Sequence, residues 1–147
     1  MLGILIENGT DQVLMQNIGQ LSKTDKCLVF SGSVIPGLPT NVLQRYEAFH
    51  FNGNIITDSL EISQQLKHLG YCKNRYYYVK NYDWEKVDQL SYRLLKNTLF
   101  HPSVELIAND QNQAVFLQQL THKKIKHIMP NWDINVSQSR SDKWKTL

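Results

Sequence analysis

Leu2-Gly3-Ile4-Leu5-Ile6, the turn Glu7-Asn8-Gly9-Thr10, a stripe of Val13, Leu14, Ile18 and Leu21, and then Lys26-Cys27-Leu28-Val29-Phe30 form the stretch that decides the fold. A run that is apolar at every position, with no alternation, suits a strand covered on both faces. The stripe between the two runs repeats at helical spacing. Thr10 or Asp11 caps that helix by accepting from its free N–H groups.

The alternation continues along the chain. After Ser31-Gly32-Ser33, Pro36 and Pro39 prevent regular pairing, and Thr40–Arg45 reads as a short helix. Glu47–Phe51 reads as a third strand. Asn52-Gly53 then signals a tight turn, so Asn54-Ile55-Ile56 either closes a hairpin or forms a buried strand of its own. Asp58 or Ser59 caps a helix carrying Ile62, Leu66 and Leu69, which Gly70 stops as a C′ glycine. Arg75–Val79 is aromatic and β-branched, hence a strand. Trp84, Val87, Leu90 and Leu94 mark a helix, and Val104–Ala108 a strand. Asn109 or Asp110 caps a helix with Ala114, Phe116, Leu117 and Leu120, and Ile125–Met129 is the last strand. Strands alternating with helices specify an α/β, Rossmann-like three-layer sandwich with a mostly parallel sheet and right-handed crossovers. The expected layout is one such domain over residues 1–130. A polar tail over 131–147 follows, either loose or docked through Trp132 and Trp144.

The length of 147 residues, with 41% hydrophobic and 20% charged, excludes collagen, low-complexity disorder and coiled coil. No stretch reaches the roughly 18 apolar residues of a membrane span, and the start lacks the basic and apolar segments of a signal peptide. A soluble, cytoplasmic protein without membrane contact is expected. The net charge of +3 is modest for a nucleic-acid binder. Its densest basic stretch, His122-Lys123-Lys124-Ile125-Lys126-His127, reads as a solvated loop or a phosphate patch, with Arg140, Lys143 and Lys145 a second cluster. Cys27 and Cys72 show no metal or disulfide spacing, and no metal or cofactor is expected.

Parallel sheets bind ligands beyond the carboxyl ends of their strands. The loops placed there supply the candidate contacts Gly9, Thr10, Ser31, Gly32, Asp58, Asp83 and Asn109. Each has a structural alternative: glycines serve turns, and acids near helix starts serve as caps. No GxGxxG, Walker lysine or GxSxG occurs. His50, in the strand-like Ala48-Phe49-His50-Phe51, reads as a base, a ligand or a hydrogen-bonded structural histidine. Arg75-Tyr76-Tyr77-Tyr78 either stacks bases or forms a buried aromatic strand.

One combination resembles a known family. Glu105–Gln113, the helix to Leu120, and Ile125-Lys126-His127-Ile128-Met129-Pro130-Asn131-Trp132-Asp133 are similar to the end of the N-terminal, acceptor-side half of GT-B-fold glycosyltransferases. Pro130, Asn131 and Asp133 fit that family's Pro-Asn-Gly-hydrophobic-Asp junction, whereas Trp132 replaces two residues. Tyr76–Trp84 is similar to the family's strand and loop before a helix, and Asn54–Ser59 would be its preceding acceptor-side strand and loop. The chain most resembles small glycosyltransferase-like proteins of large tailed phages, which would place it in the host cytoplasm. The resemblance implies an acceptor or phosphorylated ligand held at the strand carboxyl ends. If the chain is catalytic, it implies glycosyl transfer with a base accepting the acceptor's proton. It also implies a partner chain or homo-oligomer, because residues 134–147 cannot supply the nucleotide-sugar-binding half. A non-enzymatic phage structural or interaction module, and a nucleic-acid accessory protein with weak binding, are the alternative functions.

Overall fold

The structure, a computed structural model, describes residues 2–7, 11–24, 27–37, 41–79, 96 and 98–130, and only the backbone of residues 20–24, 60 and 61. The uninterrupted apolar runs become parallel strands. Leu2–Ile6 (β1) pairs with Cys27–Ser31 (β2), Leu2 opposite Cys27 through Ile6 opposite Ser31, and all of β1 is buried. Val42–Gln44 (β3), Asn54–Thr57 (β4), Asn74–Val79 (β5), Glu105–Ala108 (β6) and His127–Ile128 (β7) complete the sheet. Its order is β3-β2-β1-β4-β5-β6-β7, with every neighbouring pair parallel. The expected α/β Rossmann-like architecture is what forms, with a described sheet that is wholly parallel.

Alternate strand residues feed two apolar layers. Gln12–Thr24 (α1) covers one face, where Leu14 and Ile18 meet Leu2, Ile4, Ile6 and Val29. On the other face, Leu60–Ser63 (α2) and Gln111–Thr121 (α3) set Ile62, Ala114 and Leu117 against Leu5, Ile55, Tyr77 and Leu106. The chain travels in opposite directions from β1 to β2 and from β4 to β5, so right-handed crossovers put these helices on opposite faces. Each fully buried Leu or Ile contributes about 1.5–3 kcal/mol. Gly3 serves this packing directly. A β-carbon there would stand 2.9 Å from Phe51 Cε1 and 3.1 Å from Phe30 Cε2. Its bare backbone admits the edge-to-face Phe30–Phe51 pair, whose ring centroids are 5.4 Å apart.

Caps form where short polar side chains precede helices. The Leu14 N–H donates to Asp11 Oδ1 at 3.1 Å, the Ile62 N–H to Ser59 Oγ at 3.3 Å, and the Gln113 N–H to Asp110 Oδ1 at 2.7 Å. Tyr76, Tyr77 and Tyr78 are all buried, so the aromatic run is core.

Several local expectations are corrected. Thr40–Arg45 is no helix: Val42–Gln44 adds an edge strand to β2. Glu47–Phe51 is no strand, because Arg45–His50 forms a 3-10 helix. Ala48 and Phe51, three apart, bury the helix side of that turn. His50 therefore sits on this helix, exposed and stacked on Tyr71. Of the two readings of Asn54-Ile55-Ile56, the buried strand of its own is the one that forms, pairing in parallel with β1. The helix expected through Leu69 breaks into α2 and a 3-10 turn, Leu66–His68. Gly70 is not its left-handed cap, since Gly37 is the glycine with positive φ among those described. Instead Arg75 takes the final carbonyls, its Nε donating to Leu66 O at 2.8 Å and its Nη2 to Leu69 O at 2.6 Å. Val13 is 50% exposed, and Phe116 and Leu120 also face outward. The Trp84–Leu94 helix and the tail with Trp132 and Trp144 lie outside the described residues.

Candidate functional site

The strand order reverses between β1 and β4. The chain steps outward from β1 to β2 and β3, then returns to β1's other side. Ligands in open parallel sheets bind outside the carboxyl ends near such a reversal. On the β2–β3 side a cavity of about 700 Å³ opens at those ends, lined by the turn after β2, by β3 and by the 3-10 helix that follows it.

Ser31 is buried and folds the turn back on itself, its Oγ accepting from the Ser33 N–H at 3.2 Å. Gly32 then lies where a side chain would be crowded. A β-carbon would stand 3.0 Å from the Glu7 carbonyl oxygen and 3.2 Å from Arg45 Nε. The start of the 3-10 helix is fixed by the Gln44 N–H donating to Glu47 Oε2 at 2.8 Å, which positions Arg45 beside the turn. Among the described residues no ion pair engages Arg45, and Glu47, the nearest acid in sequence, is occupied by that cap. Gln44, Gln65, Tyr46 and Phe49 complete the polar and aromatic lining, while Val34, Ile35 and Val42 give it apolar walls. The described residues that line the cavity offer a guanidinium, amides, hydroxyls and aromatic rings for binding, and among them there is no carboxylate, histidine, thiol or amine.

Of the sequence-predicted contacts, Ser31 and Gly32 line this cavity. Asp58 stands at the carboxyl end of β4, on β1's other flank, and leaves the capping of α2 to Ser59. Asn109 is committed elsewhere. Its Oδ1 lies 2.8 Å from the Tyr78 hydroxyl, which also donates to Met129 O at 2.7 Å. Its N–H donates to Gln113 Oε1. Asn109 thus ties the β6 end to β5 and to Met129, just past β7. Gly9, Thr10 and Asp83 lie outside the described residues. Gln44 and Arg45 were missed because they fell at the end of an expected helix, Thr40–Arg45, and Gln65 because it lay within the expected helix carrying Ile62, Leu66 and Leu69. The signal that marks Arg45 is Gln44 followed three residues later by Glu47, a helix-start pattern.

Both cysteines are buried, and burial pushes the Cys72 thiol up against the opposing pull of Arg75. Among the described residues no group of three or more His, Cys, Asp or Glu side chains could hold a metal ion, and no helix is long and apolar enough to cross a membrane. Comparison with protein-family models, with curated proteins and with solved structures returns no match.

Proposed function

We propose that this chain is a glycosyltransferase-like ligand-binding domain that holds a phosphorylated acceptor in the cavity at the carboxyl ends of β2 and β3. The observation carrying this reading is the Arg45 guanidinium, unengaged by any ion pair among the described residues and laid against Gly32 at the cavity wall. A guanidinium presents a planar fork that matches phosphate oxygens. The Gln44 and Gln65 amides suit sugar hydroxyls, and the Tyr46 and Phe49 rings suit the apolar face of a sugar ring. The described lining holds no carboxylate, histidine, thiol or amine, so these residues supply binding, and turnover would draw its base and donor site from beyond them.

The test is amide chemical-shift mapping with sugar phosphates and with the same sugars lacking phosphate. The reading expects saturable shifts at Gly32, Ser33, Gln44 and Arg45 with the phosphorylated set only. Equal response to both sets, or none, contradicts it. A second reading, a protein-interaction module, draws on Val34 and Tyr46, which are 91% and 65% exposed at the cavity rim. It expects no response to any sugar phosphate.

A further inference from the structure

The opposite, amino-terminal edge of the sheet gathers cations around His101. Arg75 and Val104 stand just before the paired residues Tyr76 and Glu105, so they are neighbours at the starts of β5 and β6. Arg75 is held by the Leu66 and Leu69 carbonyls, which bracket Lys67 and His68 in the adjoining 3-10 turn. From the other side Lys123 reaches back, its Nζ donating to His101 O and to Val104 O, each at 2.6 Å. Both cations are thereby immobilised with donors to spare, since an ammonium has three N–H groups and a guanidinium five. The His101 ring is oriented as well. Its Nδ1 accepts from the Ser103 N–H at 3.2 Å and lies 2.8 Å from Ser103 Oγ, so the ring proton resides on Nε2.

Like charges repel, and among the described residues no carboxylate acts on this ring. Burial, then Lys67, Lys123, Arg75 and His68, hold the His101 pKa below its ordinary value. The nearest acid acting on the cluster is Glu105. It attracts the Lys123 ammonium and opposes ionisation of the buried Tyr76 hydroxyl, which belongs to the opposite apolar layer. A bound anion would relieve the repulsion among these cations.

We propose that the cluster of Lys67, His68, Arg75, His101 and Lys123 is a second ligand site that binds a phosphate group, with His101 Nε2–H as its neutral donor. It is distinct from the Arg45 cavity, which opens at the carboxyl ends of β2 and β3. Fixed cations with leftover donors, beside a ring whose other nitrogen is already satisfied, suit a tetrahedral oxyanion. The phosphate could come from a small phosphorylated molecule or from a nucleic-acid backbone.

The experiment is an NMR titration of the full chain, following the His101 ring resonances against inorganic phosphate, with sodium chloride at matched ionic strength as control. Saturable movement with phosphate but not chloride is expected, together with a rise in the pH at which His101 titrates. Lys67→Gln removes a charge and His68→Gln an imidazole from side chains for which no structural hydrogen bond is described, and each should weaken phosphate binding about three- to tenfold. Arg45→Gln should leave this titration unchanged. A single-stranded oligonucleotide then distinguishes the sources. Competition with phosphate that weakens steeply with salt assigns the site to a nucleic-acid backbone. Phosphate binding without competition assigns it to a small phosphorylated molecule. Identical response to phosphate and chloride, or phosphate binding unaffected by both variants, overturns the proposal.

Discussion

Arg45 lies against the bare backbone of Gly32, its Nε 3.2 Å from where a β-carbon would stand. The glycine is there to let a guanidinium and the Glu7 carbonyl approach the turn after β2 together. That close approach brings the residues just after β1 and β3 against the turn after β2.

Gly32→Ala should therefore displace the guanidinium and crowd the Glu7 carbonyl. The expected stability loss is about 1–3 kcal/mol by urea unfolding, since small-to-large changes at packed sites fall in that range. Gly19→Ala, in the interior of α1 with nothing within 4 Å of an added β-carbon, should stabilise by about 0.5–1 kcal/mol. Equal effects at the two positions would show that Gly32 is an ordinary turn residue.

Gly3→Ala inserts a methyl group 2.9 Å from Phe51 Cε1. The Phe30–Phe51 pair must separate, and thermal unfolding should report a loss of about 1–3 kcal/mol. An unchanged melting temperature would mean that the pair repacks freely.

Tyr78→Phe removes a buried hydroxyl bonded to Met129 O and beside Asn109. The orphaned carbonyl predicts a loss of about 1–3 kcal/mol in denaturant melts, with hydrogen exchange accelerated at Met129. A loss confined elsewhere would separate the hydroxyl from the β5–β6–β7 lock.

Lys123 links stability to pH. Burial lowers its ammonium from 10.5 to about 8, while Glu105 opposes the shift. Between those values the unfolded chain binds more protons, so this group makes stability rise with pH. The Cys72 thiol and the Tyr76 hydroxyl are held above 9.0 and 10.0 and act in the opposite sense beyond those points, which leaves pH 8 to 9 as the clean window. Urea midpoints should increase across that window in the wild type and stay flatter in Lys123→Met. Parallel slopes would refute the linkage.

The layer architecture was legible because parallel strands buried on both faces leave unbroken apolar runs such as Leu2–Ile6. Ser31 and Gly32 were legible because the turn after such a strand must stand at a carboxyl end. Arg45 was not, since a 3-10 helix shows too few turns to impose a period, and Ala48 with Phe51 mimics strand-like apolar content. Gly70 misled for a related reason. The carbonyls it was expected to satisfy are taken by Arg75, a partner distant in sequence. The reach of Lys123 back to His101 is invisible in the same way, because the basic stretch around it reads as a solvated loop.

The most direct test of the central claim is calorimetric titration of sugar phosphates into wild type and Arg45→Gln. A guanidinium–phosphate pair contributes about 1.5–3 kcal/mol, so binding to the wild type should weaken roughly 10- to 100-fold in the variant while its unfolding curve stays unchanged. Equal affinity in the two proteins, or no heat from the wild type with any sugar phosphate, would contradict the account.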